Sequence, residues 1–507
     1  MTSSQQGIIA AGHPKTVEAG QHILEMGGNA FDAACASVLA AFVVESTLCS
    51  PGGGGFLLAH TKEKVNKLYD FFCQTPRQKK PLQHLDFYPV YLNFGGAIQE
   101  FHIGLGSIAT PGAIKGVYEA HRELGRLPFR EVIQPAINYA RNGFTFTSFN
   151  AFSLQLLDGI MTVHPDSRKV YAPLGNLLKA GDSCYMNDLA YSLTQLAEEG
   201  LRSFYEDNIA GEIIKDLSDG GHLIIEDLQE YQVIPRQPLK ISYRGYEIIT
   251  NPPPSSGGIL MAFALKVLEE IDLKNLEYQS SEHIEILAKV MALTNSARQE
   301  GYDQNIYQNS IETQFLDPEF ISEHLNKWGS TTHISVMDRE GNAASVTVSN
   351  GEGSGYTIPR TGIMLNNMLG EADLNPSGFH QWPTAQRLSS MMSPTMILKD
   401  GEPLFVLGSG GSNRIRTAIL QVISNLIDFG QSLDRAISNP RIHWENNILN
   451  IEPLPESIVN ALTLPPTTEV CHWQETNLFF GGVHGVGLTS QGQLCGAGDY
   501  RRHGVAG

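Results

Sequence analysis

Cysteine and positive charge are both scarce in this 507-residue chain. Its six cysteines lie far apart with no CxxC pair, which argues against a disulfide scaffold or a zinc cluster and favours reduced thiols. Lys and Arg number 35 against 53 Asp and Glu, giving a formal net charge of −18. That excess of acid argues against binding to nucleic acid or to an anionic membrane.

Long apolar runs are missing as well. The longest covers residues 33–44, which is too short to span a bilayer. The first residues, "MTSSQQGIIAAGHPK", lack a positively charged start followed by an apolar segment, so no signal peptide is predicted. From these features we expect a soluble, cytoplasmic protein without membrane association.

Several familiar catalytic motifs do not occur. The sequence contains no GxSxG nucleophile elbow, no HExxH metal motif and no glycine loop that continues as GK[ST]. One glycine-rich segment, "GSGGSNRI" at 408–415, follows a predicted strand and opens a predicted helix. Free backbone N–H groups at such a junction can face a negative charge, which is what an oxyanion hole requires.

The character of the chain changes near residue 330. Up to that point the pattern is mainly helical, including a helix over 14–45 that is interrupted at Gly27-Gly28. From Thr331 onward strand-like runs dominate, beginning with the hairpin pattern "TTHISVMDREGNAASVTVS". We therefore divide the chain into a mainly helical region, 1–330, and a sheet-rich region, 331–507.

The threonine at this border has two interpretations. A Ser-Thr-Thr run is an ordinary way to begin a strand, because Thr favours strands and Ser favours loops. Alternatively, Thr331 is a nucleophile whose own α-amine acts as the base, which requires the chain to be cut just before it. A free α-amine has a pKa of about 8, so it can accept the hydroxyl proton near neutral pH.

Ordered motifs along nearly the whole chain decide between these interpretations. They include "GGNAFDAACA", "PGGGGFLL", "TPGAIKGVYEAHRELGRLPF", "STTHISVMDREGNAASVT", "GIMLNNM", "RLSSMMSPT", "GSGGSNRI" and "NPRIHWE". With them the chain resembles the γ-glutamyltransferases, which are N-terminal-nucleophile hydrolases. The resemblance implies an α+β fold, a four-layer αββα sandwich.

The resemblance also implies a self-cleaving proenzyme. The Thr331 hydroxyl would attack the Ser330 carbonyl, leaving a heterodimer of the subunits 1–330 and 331–507. Thr331 would then accept a γ-glutamyl group from a glutathione-type donor and pass it to water, an amino acid or a peptide. No cofactor and no metal are implied, because nucleophile, base and oxyanion donors all come from the chain.

Roles for individual residues follow from the matching motifs. The resemblance assigns the hydrogen bond to the nucleophile's amine to Ser349, and the oxyanion hole to the N–H groups of Gly411 and Ser412. The expected substrate contacts are Ser389 and Ser390 to a carboxylate, Glu371 to an amine, and Asn350. Plainer alternatives are a helix or turn cap for the serine pair and a solvated loop acid for Glu371.

Three positions depart from the family pattern. Phe72 stands where relatives carry an arginine, Met368 replaces a glutamine, and Gly351 replaces an asparagine that lies one place later than Asn350. Either Asn350, Arg360 or Arg387 compensates, or the enzyme is a related threonine amidohydrolase with a less ionic acyl donor. A third hypothesis is an unprocessed, inactive relative that acts as a binding protein.

Overall fold

The computed structural model describes residues 6–93, 98–303, 305–308, 311–316, 331–375 and 378–507, so Ser330 lies outside the described residues. The strands are β1 (Gly7–Ala11), β2 (Gly54–His60), β3 (Asn66–Phe71), β4 (Tyr88–Asn93), β5 (Ile98–Ile103), β6 (Phe144–Thr145), β7 (Ser183–Cys184), β8 (Ile234–Arg236), β9 (Leu239–Tyr243), β10 (Tyr246–Thr250), β11 (Thr332–Asp338), β12 (Ala343–Ser349), β13 (Thr357–Ile358), β14 (Ile363–Met364), β15 (Thr395–Lys399), β16 (Glu402–Gly410), β17 (Ile442–Glu445), β18 (Ile448–Ile451), β19 (Glu469–His472), β20 (Gly482–Leu488), β21 (Leu494–Ala497) and β22 (Val505–Ala506).

The helices are α1 (Pro14–Glu25), α2 (Ala30–Val44), α3 (Ala113–Leu124), α4 (Phe129–Asn142), α5 (Ser148–Leu156), α6 (Asp158–Met161), α7 (Pro165–Tyr171), α8 (Asn187–Glu199), α9 (Arg202–Tyr205), α10 (Asn208–Leu217), α11 (Ile225–Gln229), α12 (Ser256–Glu269), α13 (Ser281–Ala297), α14 (Ile311–Phe315), α15 (Arg414–Ile427), α16 (Leu433–Ser438) and α17 (Glu456–Val459). The described ranges contain no helix with the length and apolar character that crossing a membrane demands. All six cysteines are free thiols.

Two stacked sheets form the centre of the fold. One has the strand order β22-β1-β11-β12-β2-β3-β8, and the other has the order β21-β20-β16-β15-β10-β9. Helices α1, α2 and α3 contact the outer face of the first sheet, and α12, α15 and α16 contact the second. This is the four-layer αββα sandwich that the sequence predicted.

Helix α2 shows why the first layer forms where it does. The predicted break at Gly27-Gly28 is confirmed, because α1 ends at Glu25 and α2 begins at Ala30. A capping box starts α2: the Asn29 side chain accepts from Asp32 N at 3.0 Å, and the Asp32 carboxylate accepts from Asn29 N at 2.9 Å. Every residue of α2 is buried, as expected for a helix that is apolar on all sides.

Both sheets combine strands from before and after residue 330. In the first sheet β11 pairs with β1 on one side and β12 pairs with β2 on the other. In the second sheet β15 pairs with β10. The region before 330, although mainly helical, therefore also supplies strands to both sheets, including β1, which the sequence did not predict. The division at 330/331 as a boundary between cleaved subunits stays a prediction.

The turn of the β11–β12 hairpin contains a buried carboxylate, that of Asp338, which accepts several hydrogen bonds. Asp338 accepts hydrogen bonds from the backbone N–H groups of Glu340 at 2.9 Å and Asn342 at 3.0 Å. It also accepts from Ala30 N at 2.9 Å, which ties the turn to the start of α2. The hairpin predicted after Thr331 is confirmed, and Asp338 sets the shape of its turn.

Replacing Asp338 with alanine tests this role. Asp338→Ala leaves buried N–H donors without an acceptor, so we expect the free energy of unfolding in urea to fall by about 2–3 kcal/mol. Glu340→Ala is the control: its carboxylate lies on the surface with Lys62 and Arg126, and it should cost under about 1 kcal/mol. Equal losses in the two variants would contradict a special role for Asp338.

Candidate active site

Thr331 lies at the mouth of the hairpin, directly before β11. The register of β11 with β12 pairs Thr332 with Val348, and one further step along the same register brings Thr331 opposite Ser349. Thr331 is buried, with 4% of its surface exposed. Its carbonyl oxygen accepts a hydrogen bond from Arg502 Nη1 at 3.2 Å. The two hydroxyl residues that the sequence singled out therefore meet at the end of one strand pair.

The neighbouring residues Thr332 and His333 have structural roles. Thr332 donates its hydroxyl to the buried Glu45 carboxylate at 2.9 Å. The ring of His333 bonds the hydroxyls of Thr347 at 2.8 Å and Ser335 at 2.9 Å. Burial lowers the pKa of His333 well below its ordinary value, so the ring is neutral near neutral pH. The His333 ring therefore fills space between the two sheets and is held there by these hydrogen bonds.

Ser349 ends β12 beside the tetraglycine segment. It pairs with Gly54 at the start of β2. Its hydroxyl oxygen accepts from Gly351 N at 2.9 Å, so its orientation is set by the turn that follows. The next residue, Asn350, is buried and donates its amide to the Leu365 carbonyl at 3.4 Å. Its Oδ1 has no hydrogen-bond partner among the described residues.

The loop between β16 and α15 lies against Thr331. A Cβ added at Gly410 would approach the Thr331 carbonyl oxygen more closely than 3.0 Å, so only glycine fits. Gly411 and Ser412 both have positive φ, at 118° and 67°. Within the described chain their backbone N–H groups donate to no residue. Since they precede the first turn of α15, the helix dipole adds to their attraction for an anion.

Ser389 and Ser390 contact the first turn of α12. The Ser390 carbonyl accepts from the backbone N–H groups of Ser256 at 2.8 Å and Gly257 at 3.1 Å, which is a capping role. The Ser389 hydroxyl shares a 2.8 Å hydrogen bond with the hydroxyl of Ser256. The cap interpretation therefore holds for Ser390, whose hydroxyl also accepts from Met392 N at 3.1 Å. The Ser389 hydroxyl contacts Ser256, and the Ser255 hydroxyl donates to the Ser390 carbonyl at 2.8 Å; neither Ser255 nor Ser256 was predicted from the sequence.

Glu371 is buried, with 2% exposed, so the alternative of a solvated loop acid is wrong. A Cβ added at Gly351 would approach both Glu371 Oε1 and Asn367 Oδ1 more closely than 3.0 Å. The Glu371 carboxylate therefore occupies the space that a side chain at 351 would need. Burial, and next the carboxylates of Asp373 and Glu352, raises the pKa of Glu371 well above its ordinary value.

Sequence reasoning missed four charged residues of this region. Glu352 lies in the segment "GEGSG", which has the pattern of a glycine loop. Nothing in the sequence distinguishes Asp373 from other acids in loops. Glu45 and Arg502 lie far from Thr331 in sequence and belong to no short motif. The one local signal for Glu45 is its place as a charged residue directly after the apolar run 33–44.

Known proteins resemble the chain over nearly its whole length. The family model described as "Gamma-glutamyltranspeptidase" matches residues 16–507. The chain belongs to the gamma-glutamyltranspeptidase family. The resemblance seen in the sequence is thereby confirmed, and the protein is an enzyme of this family.

Members of the gamma-glutamyltranspeptidase family with different names are about equally similar to the chain. The glutathione hydrolase proenzyme of Escherichia coli (strain K12) is 31% identical over 493 residues, 89% of this chain and 83% of the relative. The acylase ACY 1 proenzyme of Pseudomonas sp. (strain SE83) is 30% identical over 529 residues, 99% and 93% of the two chains. A crystal structure of cephalosporin acylase from Bacillus halodurans shares the fold with a TM-score of 0.86 at 24% identity, covering 99% of this chain and 96% of that one.

Two of the three departures from the family pattern lie in apolar surroundings. Phe72 and Met368 are each 1% exposed and belong to the same cluster between the two sheets. The Phe72 ring stacks on Phe56 with centroids 5.5 Å apart. A guanidinium–carboxylate contact from position 72 is therefore lost.

The arginines considered as replacements are engaged elsewhere. Arg387 is buried in an ion pair with Asp70 at 3.3 Å and in hydrogen bonds to the Phe72 carbonyl and the Tyr231 hydroxyl. Arg360 is 81% exposed at its side chain and pairs with Glu212 at 3.1 Å. Because both guanidinium groups are already paired within the protein, we expect neither residue to replace the arginine missing at position 72.

The contact between Gly351 and Glu371 predicts a coupled response. In Gly351→Asn the new side chain collides with Glu371, so we expect about 1–3 kcal/mol lower stability in urea and weaker donor binding. Adding Glu371→Asp shortens the acid and should recover part of both losses. The measurement is a double-mutant cycle of unfolding free energy and KM.

Gly430→Asn is the matched control for backbone conformation. Gly430 has φ of 60°, close to the 64° of Gly351, and no atom lies within 4 Å of an added Cβ. Asparagine tolerates this conformation well. A loss in Gly430→Asn as large as that in Gly351→Asn, or strict additivity in the cycle, would contradict the steric coupling.

Proposed function

We propose that the chain cleaves itself before Thr331 and then hydrolyses or transfers a γ-glutamyl group through an ester on that threonine. The observation that carries the proposal is the meeting of Thr331, Ser349 and the Gly411–Ser412 loop at one buried point. In this proposal the cleaved products 1–330 and 331–507 stay together as a heterodimer. Their interleaved strands support it, since separation would break both sheets.

The chemistry requires only groups of the chain and water. In the first step the Thr331 hydroxyl attacks the Ser330 carbonyl, and the peptide C–N bond breaks, which frees the α-amine and leaves an ester. Water then hydrolyses the ester to the Ser330 carboxylate and the free Thr331 hydroxyl. In turnover that amine takes the hydroxyl proton as the oxygen attacks the donor amide. The N–H groups of Gly411 and Ser412 stabilise the resulting oxyanion. The proton then passes to the leaving amine, and water or an acceptor amine releases the acyl group.

The substrate contacts are assigned in the same proposal. Ser389 and Ser390 would hold the carboxylate of the γ-glutamyl group, and Glu371 would hold its amine, with Asn350 beside them. Ser349 would hold the α-amine of Thr331 in place. The glutathione hydrolase names of relatives at about 30% identity support a γ-glutamyl donor such as glutathione.

A second candidate is an acylase whose donor has a less ionic head group. The apolar burial of Phe72 and Met368 favours it, because a carboxylate without its arginine partner binds poorly. The acylase names of other relatives fit it equally. Hydrolysis of γ-glutamyl anilide compared with anilides of uncharged acyl groups decides between the two candidates.

Self-cleavage is tested by intact mass and N-terminal sequencing of the purified protein. We expect two fragments, one of which begins Thr-Thr-His-Ile-Ser. Thr331→Ala should stay a single chain and lose turnover by at least about 10³-fold, because both reactions need the hydroxyl. Thr489→Ala, in the β20–β21 turn, should cleave and react normally. A wild-type chain that stays whole on long incubation would favour the binding-protein hypothesis instead.

A further inference from the structure

Arg502 lies behind the candidate nucleophile, in the short turn Tyr500–Arg502. Only 4% of the surface of Arg502 is exposed, so its guanidinium lies inside the protein. Nη1 donates to the Thr331 carbonyl at 3.2 Å, and Nη2 donates to the Leu478 carbonyl at 3.5 Å. One charged side chain thus contacts the residue proposed to carry the reaction.

Glycines form the channel through which the Arg502 side chain runs. An added Cβ at Gly482 would approach the Arg502 stem more closely than 3.0 Å. Added Cβ atoms at Gly410 and Gly411 would each lie 3.2 Å from a guanidinium nitrogen. Arg502 therefore packs against Thr331 and against the Gly410–Ser412 loop, here called the oxyanion loop. It can thus fix the position of one relative to the other.

The charge of Arg502 persists at neutral pH. Burial lowers its pKa to about 10, with nearby carboxylates opposing the shift. The titratable and charged side chains that act on it or on its contacts are Glu45, Glu352, Asp499, Arg414, Arg441 and His484. Burial raises the pKa of Glu45, favouring its neutral form, and lowers that of His484 to about 4, so His484 is neutral near pH 7. Asp499 is paired with Arg441 at 2.6 Å.

We propose that Arg502 is a positioning residue of the threonine centre: it clamps Thr331 against the oxyanion loop and disfavours protonation of the Thr331 α-amine. The inference rests on the proposed cleavage before Thr331, which creates that amine. The amine nitrogen and the carbonyl share one Cα, so standard bond lengths place the nitrogen within about 7 Å of Nη1. A fixed cation at this range makes the ammonium form less stable and keeps the amine available as a base.

The test compares Arg502→Lys, Arg502→Met and Arg502→Gln with wild type. Intact mass first establishes that each variant is cleaved. Arg502→Met and Arg502→Gln remove the charge, so in these neutral variants we expect the acid limb of the pH profile of kcat/KM to move up by about one pH unit. We also expect kcat to fall roughly tenfold or more, with a smaller change in KM, because the position of Thr331 is less well fixed. Arg502→Lys should keep the acid limb of wild type while losing part of kcat. Arg435→Met, at an exposed arginine of α16, is the control and should change neither.

A second measurement does not depend on the donor. Cyanate carbamylates only an unprotonated amine, so its rate at the Thr331 α-amine, followed over pH by peptide mass, gives the pKa directly. The same upward shift is expected in Arg502→Gln and Arg502→Met. A cleaved neutral variant whose acid limb, carbamylation pKa and kcat all match wild type would overturn the inference. A wild-type chain that is never cleaved would instead overturn the proposed function, and the two failures are told apart by intact mass.

Discussion

Antiparallel pairing of β11 with β12 is the constraint on which the site depends. The register fixes which residues face each other at the open end of the hairpin, and it brings Thr331 to Ser349. A slip by one residue would turn every side chain of the strand to the opposite face. Asp338 holds the closed end of the hairpin through its hydrogen bonds to the turn and to α2. The position of Thr331 at the open end therefore depends on the whole hairpin, including the turn at Asp338.

The stacking of the second sheet completes the site. Its strand β16 ends in glycines because the Thr331 carbonyl lies where a side chain would be. The chain then turns into α15 through Gly411 and Ser412, which follow the glycine that contacts Thr331. Thr331 and the Gly411–Ser412 loop thus belong to different sheets, and close packing between the sheets fixes how far apart they lie. Such preorganisation is what stabilises a developing charge without further reorganisation.

Three buried carboxylates, Glu352, Glu371 and Asp373, lie at this centre. Burial, and next the carboxylates of Asp373 and Glu352, raises the pKa of Glu371 and so favours its neutral form. Phe72 adds an apolar surface where an arginine would neutralise a bound carboxylate. The centre therefore combines buried acids with an apolar surface, and these are the two features behind the γ-glutamyl and the less ionic acyl donor proposed above.

Much of this arrangement could be predicted from the sequence. The helix break at Gly27-Gly28, the hairpin after Thr331 and the glycine loop before α15 follow from local patterns, because capping, alternation and turn chemistry act over a few residues. Ordered motifs established the family. The contacts of Arg502 and Glu45 with the threonine segment, and the filling of the space at Gly351 by Glu371, were decided only by the tertiary structure. They join residues that are far apart along the chain, and no local pattern specifies which buried charges will meet when two sheets stack.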